Sequence, residues 1–258
     1  MKFYLVLWIT IWVLVAFALM GLFSNAYGDY YRTMGVYHKY NPEICIMMPN
    51  PEVESRQQMI REMTYSAINE WEWKLVNATG GDWNMNKYEY QWSVHKNKTI
   101  DDFPGCTIFI TYPLLTEGSS VGRTGFDFSS SDRYYFWIEV DTTDDQNRTG
   151  LVIGDSYKNS NWFNMTDIEF LDPIDIRNIV LHEFGHGLGI EHYYLGDCRN
   201  EECDTSSIMY GSIDVLQAKP KFVTQQDVNM VLRIYGEDGF RKPAWMPRTC
   251  EIIDGQLC

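Results

Sequence analysis

The segment His182-Glu183-Phe184-Gly185-His186-Gly187-Leu188-Gly189-Ile190-Glu191-His192 constrains the fold more than any other stretch of the 258 residues. Histidines four apart share one face only on a helix, so His182 and His186 predict a helix presenting both imidazoles on one side. That spacing suits two ligands on one zinc ion. Glu183, beside the first ligand, can reach a metal-bound water rather than the metal. Gly189 can take a positive φ, which lets the helix end and the chain turn sharply. The turn can bring His192 back as a third ligand. Three neutral imidazoles leave one position open for water, the catalytic rather than the structural pattern. Chance gives H-E-x-x-H in roughly one chain in two hundred of this length, and the added glycine and third histidine cut that by roughly a thousandfold.

Around this segment the apolar spacing predicts an α/β (α+β) fold with one main sheet. Ile44-Cys45-Ile46-Met47-Met48 reads as a buried strand. Asn50-Pro51-Glu52 starts a long helix, with Asn as N-cap, Pro at the first position and an acid in the first turn. Ile60, Met63, Ala67, Ile68, Trp71 and Leu75 continue it with helical spacing until Gly80-Gly81. Tyr88–Val94, Cys106–Tyr112 and Tyr134–Val140 read as strands. Asp172-Pro173 opens the helix that carries Ile176, Ile179 and Val180. Thr224 caps a last helix through Val228, Val231, Leu232 and Ile234, stopped at Gly236. No repeat or linker divides the chain.

The N-terminus points to export. Residues 3–28 carry no charge, and their apolar core of about 21 residues is long enough to span a bilayer. Ser24-Asn25-Ala26 is a small-x-small cleavage signal. Residues 1–26 are therefore a signal peptide or an uncleaved N-terminal membrane anchor. Either places the remainder outside the cytoplasm, because Lys2 stays inside. Residues 27–42 form a short N-terminal segment, and 43–258 the catalytic domain with a C-terminal extension from about 237. Six cysteines in an exported chain read as disulfides. Cys198 and Cys203 bracket a polar loop and are the best local pair; Cys45 with Cys106 and Cys250 with Cys258 follow by elimination. No C-x-x-C occurs, which disfavours a cysteine zinc site. The sequons at Asn77, Asn97, Asn147 and Asn164 predict glycosylated surface loops. A formal net charge of −14 argues against nucleic acid as a partner. Asp141, Asp144, Asp145 and Asn147 read as a solvated acidic loop in preference to a Ca2+ site, since they lack the calcium-loop pattern.

The zinc segment resembles the signature of the metzincin metallopeptidases. Seventeen positions after His192, Met209 stands in Ser207-Ile208-Met209-Tyr210-Gly211, which resembles their Met-turn. Tyr directly after Met is similar to the matrixin branch; Gly211 stands where other branches carry a Tyr zinc ligand, so none is expected. The resemblance implies a metzincin-like catalytic domain: one mixed twisted sheet, a long helix, a zinc-site helix and a C-terminal helix. It also implies a zinc endopeptidase with His182, His186 and His192 on one catalytic Zn2+ and Glu183 as general base. Met209 would form an apolar floor and Tyr210 would line the pocket. Protein or peptide substrates are implied. They would be held along an edge strand at about Val121–Phe128, whose two glycines allow another backbone to come close; the alternative for that stretch is a flexible hairpin connection. The alternative is a catalytically quiet surface interaction module on the same fold; the intact Glu183 argues against it. Zinc-dependent hydrolysis of a non-peptide substrate is disfavoured by the Met-turn.

The chain also departs from matrixins. Tyr193 replaces the Ser that follows the third His. Residues 27–42 are too few for a prodomain with a cysteine switch. Only His38 and His95 remain for a second, structural zinc, and both read as solvated loop histidines. The loop before Met209 is longer and holds Cys198 and Cys203.

Overall fold

A computed structural model describes residues 34, 38, 40–48, 54–91, 102–103, 105–112, 122–128, 134–140, 171–193, 204–211 and 215–240. Strands are β1 (Glu43–Met48), β2 (Asn86–Gln91), β3 (Ile108–Thr111), β4 (Gly122–Phe128) and β5 (Tyr134–Val140). Helices are α1 (Glu54–Thr79), α2 (Pro173–Gly187) and α3 (Gln225–Tyr235). The sheet order is β2-β1-β3-β5-β4. The first four strands in that order are parallel, and β4 pairs antiparallel with β5 at the edge. This is the mixed α/β architecture expected from the sequence.

Alternation along the central strands separates two cores. Ile44, Ile46 and Met48 of β1, Ile108 and Ile110 of β3, and Phe136, Ile138 and Val140 of β5 face the helices. Cys45, Met47, Phe109 and Tyr135 point the other way and meet Phe103 and Cys106. A disulfide joins Cys45 to Cys106 on that second face, the pair reached above by elimination. β3 starts later than expected because Cys106 is taken up by a turn, its N–H bonding Phe103 O at 3.0 Å. β2 begins earlier than expected, at Asn86. Glu72 of α1 accepts from Met85 N–H at 3.2 Å and from Lys87 Nζ at 2.6 Å, tying the start of the strand to the helix.

α1 and α2 pack together on the helical side. Trp71 is fully buried between them and donates from its indole N–H to Leu181 O at 2.9 Å. Arg177 of α2 reaches Glu70 and, at 3.1 Å, Ser66 of α1, so the helix carrying the histidines is fixed in register. α2 starts as predicted: Asp172 accepts from Ile174 N–H at 2.8 Å, with Pro173 in the first turn. Thr224 and Asp227 form a capping box on α3, which ends at Gly236.

Candidate active site

α2 presents His182 and His186 one turn apart, and both carry a backbone acceptor on the far side of the ring. His182 Nδ1 lies 2.6 Å from Ile208 O, and His186 Nδ1 lies 2.8 Å from Ile190 O. A carbonyl accepts only, so each Nδ1 holds the proton and each Nε2 keeps its lone pair. The helix then stops. Gly189 takes φ +91°, and the chain turns back so that His192 faces the other two. His192 Nε2 is 2.8 Å from that of His182 and 3.1 Å from that of His186. All three ligand atoms lie within 4.8 Å of one another. With His192 likewise in its Nδ1–H form, three imidazole lone pairs converge, a donor set that suits zinc. Burial pushes the pKa of His182 down to about 3, with His186 and His192 adding to it. Burial likewise lowers His186 to about 4 and lowers His192. The neutral, ligating form is the one this environment favours.

Glu183 follows the first histidine and turns toward the edge strand. Its side chain is buried, which pushes its pKa up to about 7 against the opposing pull of a bond from Thr124. Thr124 Oγ1 is 2.7 Å from Glu183 Oε2 and 3.1 Å from Glu183 O. Gly122 lies beside the same carboxylate: a Cβ there would stand 2.7 Å from Glu183 Oε1 and 2.9 Å from its Cγ. The missing side chains of the two β4 glycines serve neighbours within the chain, while the backbone edge of β4 ends the sheet. Gly122 makes room for Glu183, and Gly125 makes room for Trp137, whose ring would be 2.3 Å from a Cβ.

The Met-turn closes the site from below. Met209 is fully buried, and its sulfur would stand 2.3 Å from a Cβ on Gly185, so a side chain at that position would have to displace Met209. Tyr193, the departure after the third histidine, ties the histidine turn to this floor. Its N–H bonds Met209 O at 3.2 Å, its carbonyl accepts Gly211 N–H at 2.9 Å, and its hydroxyl donates to Asp204 O at 2.6 Å. Its ring packs on Tyr210 at 5.6 Å between centroids. Asp227 of α3 supports the turn from the other side. Its buried carboxylate accepts from the Ser207 hydroxyl and, at 3.3 Å, from the N–H groups of Ile208 and Met209.

Sequence reasoning placed Gly122 and Thr124 on the edge beside this site but missed their contact with Glu183, and it missed Asp227. Asp227 stood in plain view as the third residue of a capping box; its second role depends on the fold. His38 is a correction. It is 6% exposed rather than solvated, and its ring nitrogen Nε2 donates to Gly187 O at 2.7 Å. The rings of Phe136, at 5.2 Å, and Phe240, at 6.2 Å, enclose it. Asn77 is a second correction. It sits on the exposed last stretch of α1 and not in a loop, because Trp71 and Leu75 keep the helix on the core as far as Thr79. Several expectations lie outside the described residues: the start of the long helix at 50–52, His95, Asn97, Asn147, Asn164, the acidic loop at 141–147, Cys198, Cys203, Cys250, Cys258 and the N-terminal apolar stretch.

Comparison with known proteins bears on the same stretch of chain. Curated proteins give no match. Among solved structures, a chain described as the GM1-bound form of the ECX AB5 holotoxin aligns over 83% of this chain and 87% of its own length. The two share 16% identity at a TM-score of 0.35, too distant a likeness to bear on function. The profile of the matrixin peptidases matches residues 46–236, from β1 through the histidine helix and Met-turn to the end of α3. The chain belongs to the matrixin family.

Proposed function

We propose that the chain is a zinc endopeptidase that works outside the cytoplasm, with His182, His186 and His192 holding one Zn2+ and Glu183 acting as general base. The observation that carries this reading is the triad itself: three imidazole nitrogens within 4.8 Å of one another, with a buried carboxylate on the residue after His182. When bound there, zinc would bring the pKa of a water ligand toward neutral and polarise a peptide carbonyl.

The chain's own groups do the rest. His182 and His186 bind through Nε2 because Ile208 O and Ile190 O hold their Nδ1 protons. Glu183 accepts the proton of the attacking water on its carboxylate and returns it to the leaving nitrogen. Met209 and Gly185 pack without polar atoms beneath the triad and do no chemistry. β4, at the end of the sheet order and beside Glu183, is the strand along which an extended substrate is laid. An extracytoplasmic setting agrees with the N-terminal apolar stretch and with the Cys45–Cys106 disulfide, a bond that persists in oxidising compartments. The exposed position of Asn77 leaves that sequon open to a glycan.

Glu183→Gln tests the assignment. The variant keeps the three ligands, so zinc stoichiometry stays at the wild-type value, while cleavage of a peptide library falls by about 10²- to 10⁴-fold. A variant with full zinc and undiminished turnover would mean that another group moves the proton.

A further inference from the structure

The edge strand does more than border the site. Residues 122 and 124 of β4 lie two apart and therefore on one face of the strand, and that face meets Glu183 of α2 from two directions. The Thr124 hydroxyl has one hydrogen. Glu183 Oε2 at 2.7 Å and Glu183 O at 3.1 Å are both acceptors, so the carboxylate is the nearer partner of that hydrogen. The other carboxylate oxygen, Oε1, occupies the space that a side chain at position 122 would need, together with Ile179 Cγ2 at 2.6 Å from the same Cβ point. One oxygen is tethered and the other is confined. A glutamate side chain has three rotatable bonds, and this pocket selects one setting of them.

We propose that Thr124 and Gly122 are positioning residues for hydrolysis: the hydroxyl clamps the Glu183 carboxylate in its working orientation, and the missing side chain at 122 leaves the space that orientation requires. The inference rests on the reading of Glu183 as general base. It makes β4 a two-sided element, whose backbone edge meets substrate while one side-chain face sets the base. A loose base is misplaced in the transition state, not in substrate binding, so the effect belongs in kcat. Thr is distinguished from Val at position 124 by the hydroxyl alone.

The test compares Thr124→Val, Thr124→Ser, Gly122→Ala and Glu183→Gln in the zinc-loaded full chain. Thr124→Val is expected to keep zinc stoichiometry and KM and to lose about 10- to 100-fold in kcat, the range of one hydrogen bond to a charged group. Thr124→Ser should return kcat to within about threefold of wild type, since it restores the donor. Gly122→Ala, which disturbs the carboxylate without touching the hydroxyl, should also lower kcat at full zinc and keeps the question open to answer if the valine variant folds poorly. A readout free of turnover is the infrared carboxylate band of Glu183 in metal-free protein at alkaline pH, isolated as wild type minus Glu183→Gln. The band should move in Thr124→Val and stay in place in Thr124→Ser. Unchanged kcat in Thr124→Val, or a rise in KM alone, overturns the inference while a dead Glu183→Gln leaves the general base standing. If wild type and Glu183→Gln are equally inactive, the reading of function fails instead; an unmoved band then sinks the clamp separately, and a shifted one upholds it.

Discussion

At the scale of single residues, His38 shows that a histidine outside the clustered triad can secure the end of the triad's helix. Its ring donates to Gly187 O, its backbone N–H donates to the Tyr235 hydroxyl at 3.0 Å, and that hydroxyl donates to Leu188 O at 3.0 Å. Met34 N–H adds a bond to Gly189 O at 2.9 Å. Three consecutive carbonyls at the end of α2, left over when the helix stops, are satisfied this way. Burial lowers the His38 pKa from 6.5 to about 4, so the native state resists protonation that the unfolded chain accepts. The sign follows: the unfolded state binds the extra proton between those two values, and stability falls as pH drops from about 6.5 to about 4. The loss amounts to roughly 3 kcal/mol from this group, with no further loss below and none above. His38→Gln keeps an amide donor and does not titrate. Its unfolding free energy by denaturant should be lower than wild type at pH 8 but should change less between pH 6.5 and 4. Parallel pH curves for the two proteins would place the acid sensitivity elsewhere. Nothing local forecasts this burial, because Tyr37-His38-Lys39 is polar and the partners are Phe136, Gly187, Tyr235 and Phe240, reached only through the fold.

At the scale of elements, the sheet keeps its chemistry on one face and its crosslink on the other. The disulfide joins β1 to the turn before β3, on the side away from α2, and closes a sequence separation of 61 residues. A loop of that length corresponds to about 4 kcal/mol of lost unfolded-state freedom in the chain-entropy account. Cys45→Ser combined with Cys106→Ser should therefore lower stability by up to about 4 kcal/mol while leaving zinc affinity within about twofold. A large drop in zinc affinity at full folding would show that the two faces are mechanically coupled. The elements themselves were largely readable. α2 announces its start with Asp172-Pro173 and its end with Gly189, and α3 carries both halves of its capping box in Thr224 and Asp227. β5 alternates β-branched and aromatic residues and occupies the residues expected of it. β4 lies where the edge strand was expected, but that Gly122 and Gly125 make room for Glu183 and Trp137 was not readable from the sequence. The histidine cluster was legible because all three residues fall within eleven positions whose spacing encodes a helix and a turn. The Thr124 contact was not, because Thr124 lies 59 residues before the carboxylate it meets.

At the scale of the whole molecule, the fold brings a helix, a turn and a strand edge to one place, and each contributes something the others lack. α2 supplies His182, His186 and Glu183, the turn after it supplies His192, the Met-turn supplies a floor fixed by Asp227, and β4 supplies a backbone whose inner groups pair with β5. Among the described residues no strand pairs with β4 on its other side, since it ends the sheet order. Along an antiparallel-paired edge strand, the N–H and C=O groups of every second residue face outward. A substrate strand added there would use its own groups with the same period of two. The prediction is specific to the peptide and leaves the protein unaltered. Take one cleaved peptide and methylate its backbone nitrogens one at a time. Every second position should lose kcat/KM by about fivefold or more, the worth of roughly 1 kcal/mol per hydrogen bond, and the positions between should change little. The loss should fall mainly on KM for positions remote from the scissile bond, because those bonds are made equally in bound substrate and transition state. An even loss along the peptide would mean that bulk rather than hydrogen bonding is being sensed. An absence of loss at every position would mean that the substrate is held by side-chain pockets, and β4 would then serve the site only through the face that meets Glu183.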